Sequence, residues 1–95
     1  MYLLSNPIHT TQRLYKHVIH VTVKKSRQWY EVEKYDFAIE LLKSIIPLSQ
    51  FALELFDTLM LYKLVATIEF DRKEFQNALN ICHLMIYVCG INDQL

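Results

Sequence analysis

The sequence predicts an all-α protein, and three observations lead to that class. Apolar residues make up 53% of the chain and charged residues 21%, a balance that supplies a buried core and argues against disorder. One glycine and two prolines are too few for an all-β fold, which needs turn residues at nearly every corner. Apolar residues recur at spacings of three and four, the period of an amphipathic helix. A length of 95 residues suits one domain, residues 1–95, with four main helices.

The first helix is expected at about residues 8–30. Pro7 is favoured near a helix start, and Thr10 is the alternative N-cap. The segment VIHVTV is rich in β-branched residues, which is typical of a strand, but no second strand candidate is present to pair with it. We therefore expect a helix here, with one apolar stripe formed by Leu14, Val18 and Val21.

The second and third helices are expected at about residues 33–46 and 50–69. Pro47 should end the second helix, and Ser49 is a natural N-cap for the third. The apolar period of the second helix is carried by Phe37, Ala38, Leu41, Leu42 and Ile45. Apolar residues cover most of the circumference of the third helix, so we expect it in the middle of the stack.

The fourth helix is expected at about residues 72–88, with Asp71 as a cap and Gly90 as the stop signal. It has two apolar stripes. The first, expected to face the core, comprises Phe75, Ala78, Leu79, Cys82, Met85 and Ile86. The second, expected to face outward, comprises Ile81, Leu84 and Val88.

One helical pattern occurs twice, in EKYDFAIELLKSIIP at residues 33–47 and RKEFQNALNICHLMI at residues 72–86. Aligning Tyr35 with Phe75 also aligns Ala38 with Ala78, Ile39 with Leu79, Ile45 with Met85, and Ile46 with Ile86. A small residue lies twelve positions before each alanine, namely Ser26 and Ala66. Small side chains at this spacing let two helices of a hairpin approach closely, and an aromatic side chain fills the remaining gap.

This pattern resembles the tetratricopeptide repeat, a helix-turn-helix unit of about 34 residues that stacks into a scaffold for binding other proteins. The resemblance assigns packing roles to Ser26, Trp29, Tyr35, Ala38, Ala66, Phe75 and Ala78. The chain departs from the family pattern in its offset of 40 residues between units, in Lys73 at a turn glycine, in Met85 at a small position, and in Gly90 at the terminal proline. The resemblance implies two stacked antiparallel hairpins, a divergent TPR-like solenoid fragment; a closed four-helix bundle is the alternative.

Two repeats are fewer than such folds usually need, so apolar faces should remain uncovered. We therefore expect a protein–protein interaction module, an adaptor or a subunit of a larger complex or homo-oligomer, that docks through Ile81, Leu84 and Val88. In the alternative arrangement, the terminal segment GINDQL folds back through Ile91 and Leu95 to cover this face.

Charge is distributed unevenly. Residues 1–30 contain five basic and no acidic residues, and residues 31–95 contain ten acidic and five basic residues. The basic residues admit three interpretations: a solvated face, a docking site for an acidic protein surface such as the rear of a second copy, or a nucleic-acid contact. The last makes a nucleic-acid-associated subunit the alternative function. The five residues are Arg13, Lys16, Lys24, Lys25 and Arg27.

No motif indicates catalysis, a cofactor or a metal site, so we expect a protein that is not an enzyme. His17 and His20, or Cys82-His83 with Cys89, lack the paired spacing of zinc ligands. The two cysteines lie about 10 Å apart along a helix, too far for a disulfide, and we expect buried free thiols. MYLLSNP lacks a charged signal-peptide region, and LMIYVCGI is too short to span a membrane. We therefore expect an intracellular protein, in the cytoplasm or nucleus.

Overall fold

A computed structural model describes residues 7–52 and 54–93, and these form four helices. Their bounds are α1 Pro7–Glu31, α2 Tyr35–Phe51, α3 Leu55–Asp71 and α4 Phe75–Asp93. No strand occurs within the described residues, and VIHVTV lies inside α1. The all-α prediction is confirmed.

The helices stack as two antiparallel hairpins in a thin, zigzag layer. Extensive contacts join α1 to α2, α2 to α3, and α3 to α4. The principal extents are 51 × 38 × 13 Å and the Cα radius of gyration is 15.1 Å, whereas a compact domain of this length has a radius of about 12 Å. The prediction of stacked hairpins is confirmed, and the closed-bundle alternative is excluded. The inner helices are α2 and α3, so α3 lies between two neighbours as predicted.

The two hairpin turns have the same backbone structure at a 40-residue offset. Glu33 has φ 62° and Lys73 has φ 67°, the left-handed conformation that usually favours glycine. In each turn the amide of this residue donates to the carbonyl three residues earlier, Tyr30 or Phe70, at 3.0 Å. The sequence repeat is therefore also a repeat of backbone geometry.

Aromatic side chains brace both turns. The rings of Tyr30 and Tyr35 lie 5.6 Å apart, and those of Phe70 and Phe75 lie 5.3 Å apart, at the equivalent positions. Trp29 packs on Phe37 with ring centroids 5.0 Å apart. Each pair joins the end of one helix to the start of the next.

The predicted small residues lie where the helices of each hairpin meet. Ser26 is buried, and its hydroxyl donates to the carbonyl of Ala38 at 3.0 Å. Ala38 and Ala78 are buried, and Ala66 is half-buried. These environments fit close helix packing at both hairpins.

One core cluster runs through the stack, with most of its side chains on α2 and α3. Ser49 and Thr58 join these two helices through hydroxyl groups 2.7 Å apart. The buried apolar members of the cluster are Tyr15, Ile19, Ala38, Ile39, Leu42, Ile45, Ile46, Leu61, Val65, Ile68 and Ile81.

The predicted boundary between α2 and α3 is wrong. Helix α2 continues through Pro47 to Phe51. Pro47 has no N–H to donate to the carbonyl of Lys43, and both residues lie on the exposed side of the helix. Ser49 is consequently not the N-cap of α3. Its buried hydroxyl donates to the carbonyl of Ile46 at 2.7 Å, and α3 begins at Leu55.

The predicted limits of α4 are also wrong. Asp71 is the last residue of α3 rather than a cap, and α4 begins at Phe75. At its other end α4 continues through Gly90 to Asp93. A Cβ at Gly90 would meet no atom within 4 Å, and Gly90 does not have a positive φ, so nothing at this position requires the helix to stop.

Candidate interaction surfaces

The inward face of α4 differs from the one predicted. Ala78 and Ile81 are buried, and Met85 and Val88 are half-buried. These four positions recur at spacings of three and four and therefore share one face of the helix. The prediction that Ile81 faces outward is wrong, because its side chain belongs to the core cluster. Val88 is half-buried, and Leu84 alone among the three predicted interface residues is exposed.

An exposed apolar stripe lies beside the inward face of α4, about 100° further around the helix. Its members alternate at spacings of four and three, the pattern that presents a continuous seam to another helix. In the stripe predicted to face the core, only Ala78 is buried and Met85 is half-buried. The other four residues of that predicted stripe are exposed and belong to this surface. We call it the α4 outer stripe: Phe75, Leu79, Cys82, Ile86 and Cys89.

The cysteines belong to this stripe. Cys82 and Cys89 are free thiols and both are exposed, so the prediction of buried thiols is wrong. Helical geometry explains the error, since each cysteine follows an inward or half-buried residue, Ile81 or Val88, by one position and is therefore turned about 100° from it.

Helix α1 carries a second exposed apolar stripe. On this helix Tyr15, Ile19 and Ser26 are buried. Leu14, Val18 and Val21, the stripe predicted from the sequence, are all exposed. We call these three residues the α1 outer stripe. Both terminal helices of the layer therefore present apolar side chains to solvent.

Lys16 is held by acidic groups of α3 and its vicinity. Its ammonium lies 3.0 Å from the Asp57 carboxylate and 3.8 Å from that of Glu54. The hydroxyl of Tyr15 also donates to Asp57, at 2.7 Å. The hydrogen bond to Asp57 raises the pKa of Lys16, while burial and the same carboxylate raise the pKa of Tyr15. These contacts tie α1 to α3, two helices that are not neighbours in the stack.

The other predicted basic residues occupy separate environments. Lys25 places its ammonium 5.2 Å from the centre of the Trp29 ring, which is a cation–π arrangement. Arg27 lines a groove together with Glu31. Arg13 and Lys24 are exposed. Because Lys16 is paired with acidic groups, the basic segment presents less free positive charge than the sequence suggests.

Two open grooves cross the faces of the layer. One, of about 290 Å³, lies between α1 and α3, and Val23, Tyr30 and Leu64 are among its lining residues. The other, of about 470 Å³, lies between α2 and α4, with Lys43 and Asn80 among its lining residues. Each groove follows from the zigzag of helices, which places alternate helices on the same side.

An acidic and basic cluster closes one end of the second groove. Glu69 is buried and its carboxylate lies 2.6 Å from the Arg72 guanidinium. Arg72 also pairs with Asp36 of α2. This arrangement fixes the α3–α4 turn against the first hairpin, and the sequence analysis did not identify it. The sequence contained one indication of this cluster. Glu69 is the repeat equivalent of Trp29, and that position faces inward.

Among the described residues, no group of three or more histidine, cysteine, aspartate or glutamate side chains is arranged to hold a metal ion. Within the same part of the chain, none of the helices has the length and apolar character needed to cross a membrane.

Comparison with models of known protein families, with curated proteins and with solved structures gives no match in any of the three. The candidate surfaces are therefore interpreted from their own geometry and chemistry.

Proposed function

We propose that the protein is a polypeptide-binding module, a helical adaptor or a subunit of a larger complex or homo-oligomer, and that it binds through the α4 outer stripe. The observation that carries the proposal is the exposure of Leu79, Cys82 and Ile86 along one seam of a terminal helix. The resemblance of the repeated hairpin to the tetratricopeptide repeat supports the same function, since that family binds other polypeptides.

Burial of the α4 outer stripe contributes favourably to docking. Burial of one fully exposed aliphatic side chain is worth about 1.5–3 kcal/mol by transfer free energies, and Leu79 and Ile86 are 49% and 68% exposed. These two side chains offset the cost of ordering a few side chains, and contacts from the rest of the surface must offset the loss of translational and rotational freedom, about 4–15 kcal/mol. Alternating spacings of three and four are also how a helix presents anchors to a partner helix or groove.

The predicted apolar interface is revised by this proposal. Leu84 is exposed but lies on the other side of α4 from the outer stripe, where it lines the groove between α2 and α4, while Ile81 serves the core. Val88 is half-buried and is not needed for the proposal. An intracellular location, in the cytoplasm or nucleus, is proposed with the module because its two cysteines are free thiols.

The alternative function is a nucleic-acid-associated subunit that uses basic residues of α1. Arg13 and Lys24 are exposed and favour it, but Lys16 is engaged by Asp57. Phosphate contacts make binding strongly salt-dependent. Titration with a generic single-stranded RNA therefore tests this alternative: affinity that falls steeply with salt supports it, and no binding at low salt removes it.

Site-specific photocrosslinking tests the polypeptide-binding proposal. A photoreactive phenylalanine analogue replaces Ile86 in the α4 outer stripe, and in a control it replaces His83, which is exposed on another side of the same helix. Irradiation in the cells of origin should give covalent polypeptide adducts from position 86 and few from position 83. Absence of adducts at position 86, or an equal yield at both positions, would overturn the proposal.

A further inference from the structure

The α4 outer stripe has a counterpart inside the molecule. At the 40-residue offset that relates the two turns, Leu79 corresponds to Ile39 and Ile86 corresponds to Ile46. Ile39 is 3% exposed where Leu79 is 49% exposed, and Ile46 is 7% exposed where Ile86 is 68% exposed. The residues of α2 are buried because α3 packs against that helix, whereas no other helix among the described residues packs on the stripe of α4.

The α1 outer stripe has a counterpart on α3. Val18 corresponds to Thr58 and Val21 to Leu61. Thr58 and Leu61 are buried, while Val18 and Val21 are exposed. Thr58 faces α2, since its hydroxyl lies 2.7 Å from that of Ser49. The stripe on α1 is thus the equivalent of the α3 surface that covers α2.

The two open ends therefore carry the two different sides of the internal α2–α3 interface. The α4 outer stripe is equivalent to the α2 side of that interface, and the α1 outer stripe is equivalent to its α3 side. We propose that the partner is a second copy of this chain, whose α1 outer stripe docks on the α4 outer stripe as α3 docks on α2. This inference rests on the proposed polypeptide-binding function and names its partner. Because the contact joins unlike surfaces, each dimer keeps one free end of each kind and further copies can add.

The internal interface also gives the register of the contact. The pairing of Ser49 with Thr58 places Cys89 opposite Val18 of the next copy. One helical turn further along the antiparallel pair, Ile86 lies opposite Val21. No formally charged residue occurs from Phe75 to Asn92, so the basic residues of α1 meet no like charge on α4. Lys25 stands where α3 has the buried Val65, and the contact should be weaker than its internal counterpart.

Sedimentation velocity of purified chains tests the proposal through complementation. The wild-type sedimentation coefficient should rise with concentration, whereas Val21→Glu and Ile86→Glu should each remain monomeric. A mixture of the two variants retains one intact α4 stripe and one intact α1 stripe, so it should form dimers and nothing larger. His20→Glu and His83→Glu, which place the same charge on exposed positions outside the stripes, should behave as wild type.

The other outcomes contradict the proposal. If Val21→Glu alone dimerises, the contact is a symmetric one between α4 helices. If the wild-type chain stays monomeric while position 86 still crosslinks to another polypeptide, head-to-tail association is wrong and the proposed function stands. If neither association nor crosslinking occurs, both fail.

Circular dichroism will show whether the glutamate variants fold. If they do not, disulfide formation between copies tests the same head-to-tail contact. Val18→Cys, with Cys82→Ser to leave Cys89 as the intended partner, should form a ladder of linked oligomers on mild oxidation. A control keeps two thiols per chain but moves one outside the stripe: His20→Cys with Cys82→Ser, at an exposed position of α1, should give no ladder. Equal ladders from the two variants, or none from Val18→Cys, would contradict the register and with it the head-to-tail contact.

Discussion

At the residue scale, Ser26 sets the distance between the two helices of the first hairpin. Its side chain is 2% exposed, and its hydroxyl donates to the carbonyl of Ala38 across the interface. A larger side chain at this position has no space, because Ala38 on the facing helix is fully buried.

Replacement of Ser26 by leucine should therefore lower the free energy of unfolding. Overpacking of a close helix contact costs about 1–3 kcal/mol, and the hydrogen bond is lost as well. Ser44→Leu, at an exposed position of α2, is the matched control and should change stability by less than about 0.5 kcal/mol. Urea unfolding followed by circular dichroism measures both, and equal midpoints would contradict the packing role of Ser26.

Lys73 occupies a left-handed backbone conformation, with φ 67°. Lys73→Gly should raise the free energy of unfolding by about 0.5–1 kcal/mol, because glycine adopts this conformation without a Cβ clash. Lys73→Val should lower it, since β-branched residues are strained there.

Lys63→Gly provides a control with the opposite expected sign. Lys63 is exposed within α3, where glycine costs about 1 kcal/mol. Thermal unfolding distinguishes the two glycine variants, and destabilisation by Lys73→Gly similar to that by Lys63→Gly would contradict the turn geometry.

Asp57 should make stability depend on pH in the acidic range. Burial on its own raises the pKa of Asp57, but hydrogen bonds from Tyr15 and Lys16 and the attraction of the Lys16 ammonium outweigh it, so the pKa lies below the usual 3.8. A folded-state pKa below the unfolded one gives stability that is complete above about pH 4 and is lost as the pH falls through the folded value.

Asp57→Asn should thus cost about 1.5 kcal/mol near pH 7, the range for hydrogen bonds to a charged group, and this deficit should shrink toward pH 3. Glu40→Gln, an exposed change on α2, should give little effect at either pH. Urea unfolding at several pH values measures the difference. A deficit for Asp57→Asn that is constant from pH 7 to pH 3 would show that the ionised carboxylate contributes nothing.

At the element scale, α2 is notable because it contains Pro47. A proline in a helix interior removes one hydrogen bond and crowds the preceding turn. Pro47→Ala should therefore raise stability by about 1–3 kcal/mol, less the entropy that proline removes from the unfolded chain. Pro7→Ala, at the first residue of α1, should be nearly neutral. Calorimetry on the Pro47→Ala and Pro7→Ala variants measures both changes in stability. Destabilisation by Pro47→Ala would mean that the fold requires the proline.

The sequence was sufficient to predict the number of helices, their pairing into hairpins and the small residues between them. Those features depend on local periodicity and on spacings that occur twice, such as Ser26 to Ala38. The end of α2 was not predictable from Pro47 alone, because the cost of a proline depends on whether the carbonyl it leaves unpaired reaches water. The Ser49–Thr58 contact likewise requires the packing of α2 on α3.

The orientation of α4 was the main feature that periodicity did not determine. Two apolar stripes surround this helix, and hydrophobicity alone does not say which one meets α3. The repeat contained the missing information, because Ile39 and Ile46 are in the face of α2 covered by α3, and their equivalents are Leu79 and Ile86. The sequence analysis therefore assigned the exposed apolar face of α4 to the wrong side of the helix.

At the scale of the whole molecule, the zigzag layer is thin and has two open ends. Its extent of 13 Å in the thinnest direction leaves no interior that covers both sides of α1 or α4. The contacts between consecutive helices are local in sequence, which favours rapid folding, while the end surfaces remain available for association. The proposed functions depend on this open architecture rather than on any one side chain.

Small-angle X-ray scattering on the Val21→Glu/Ile86→Glu double variant tests this architecture most directly, since both stripes are then blocked and the chain should be monomeric. We expect a radius of gyration of at least 15.1 Å and a longest dimension of about 51 Å or more. A folded monomer with a radius near 12 Å, the value for a compact domain of this length, would contradict the open stack.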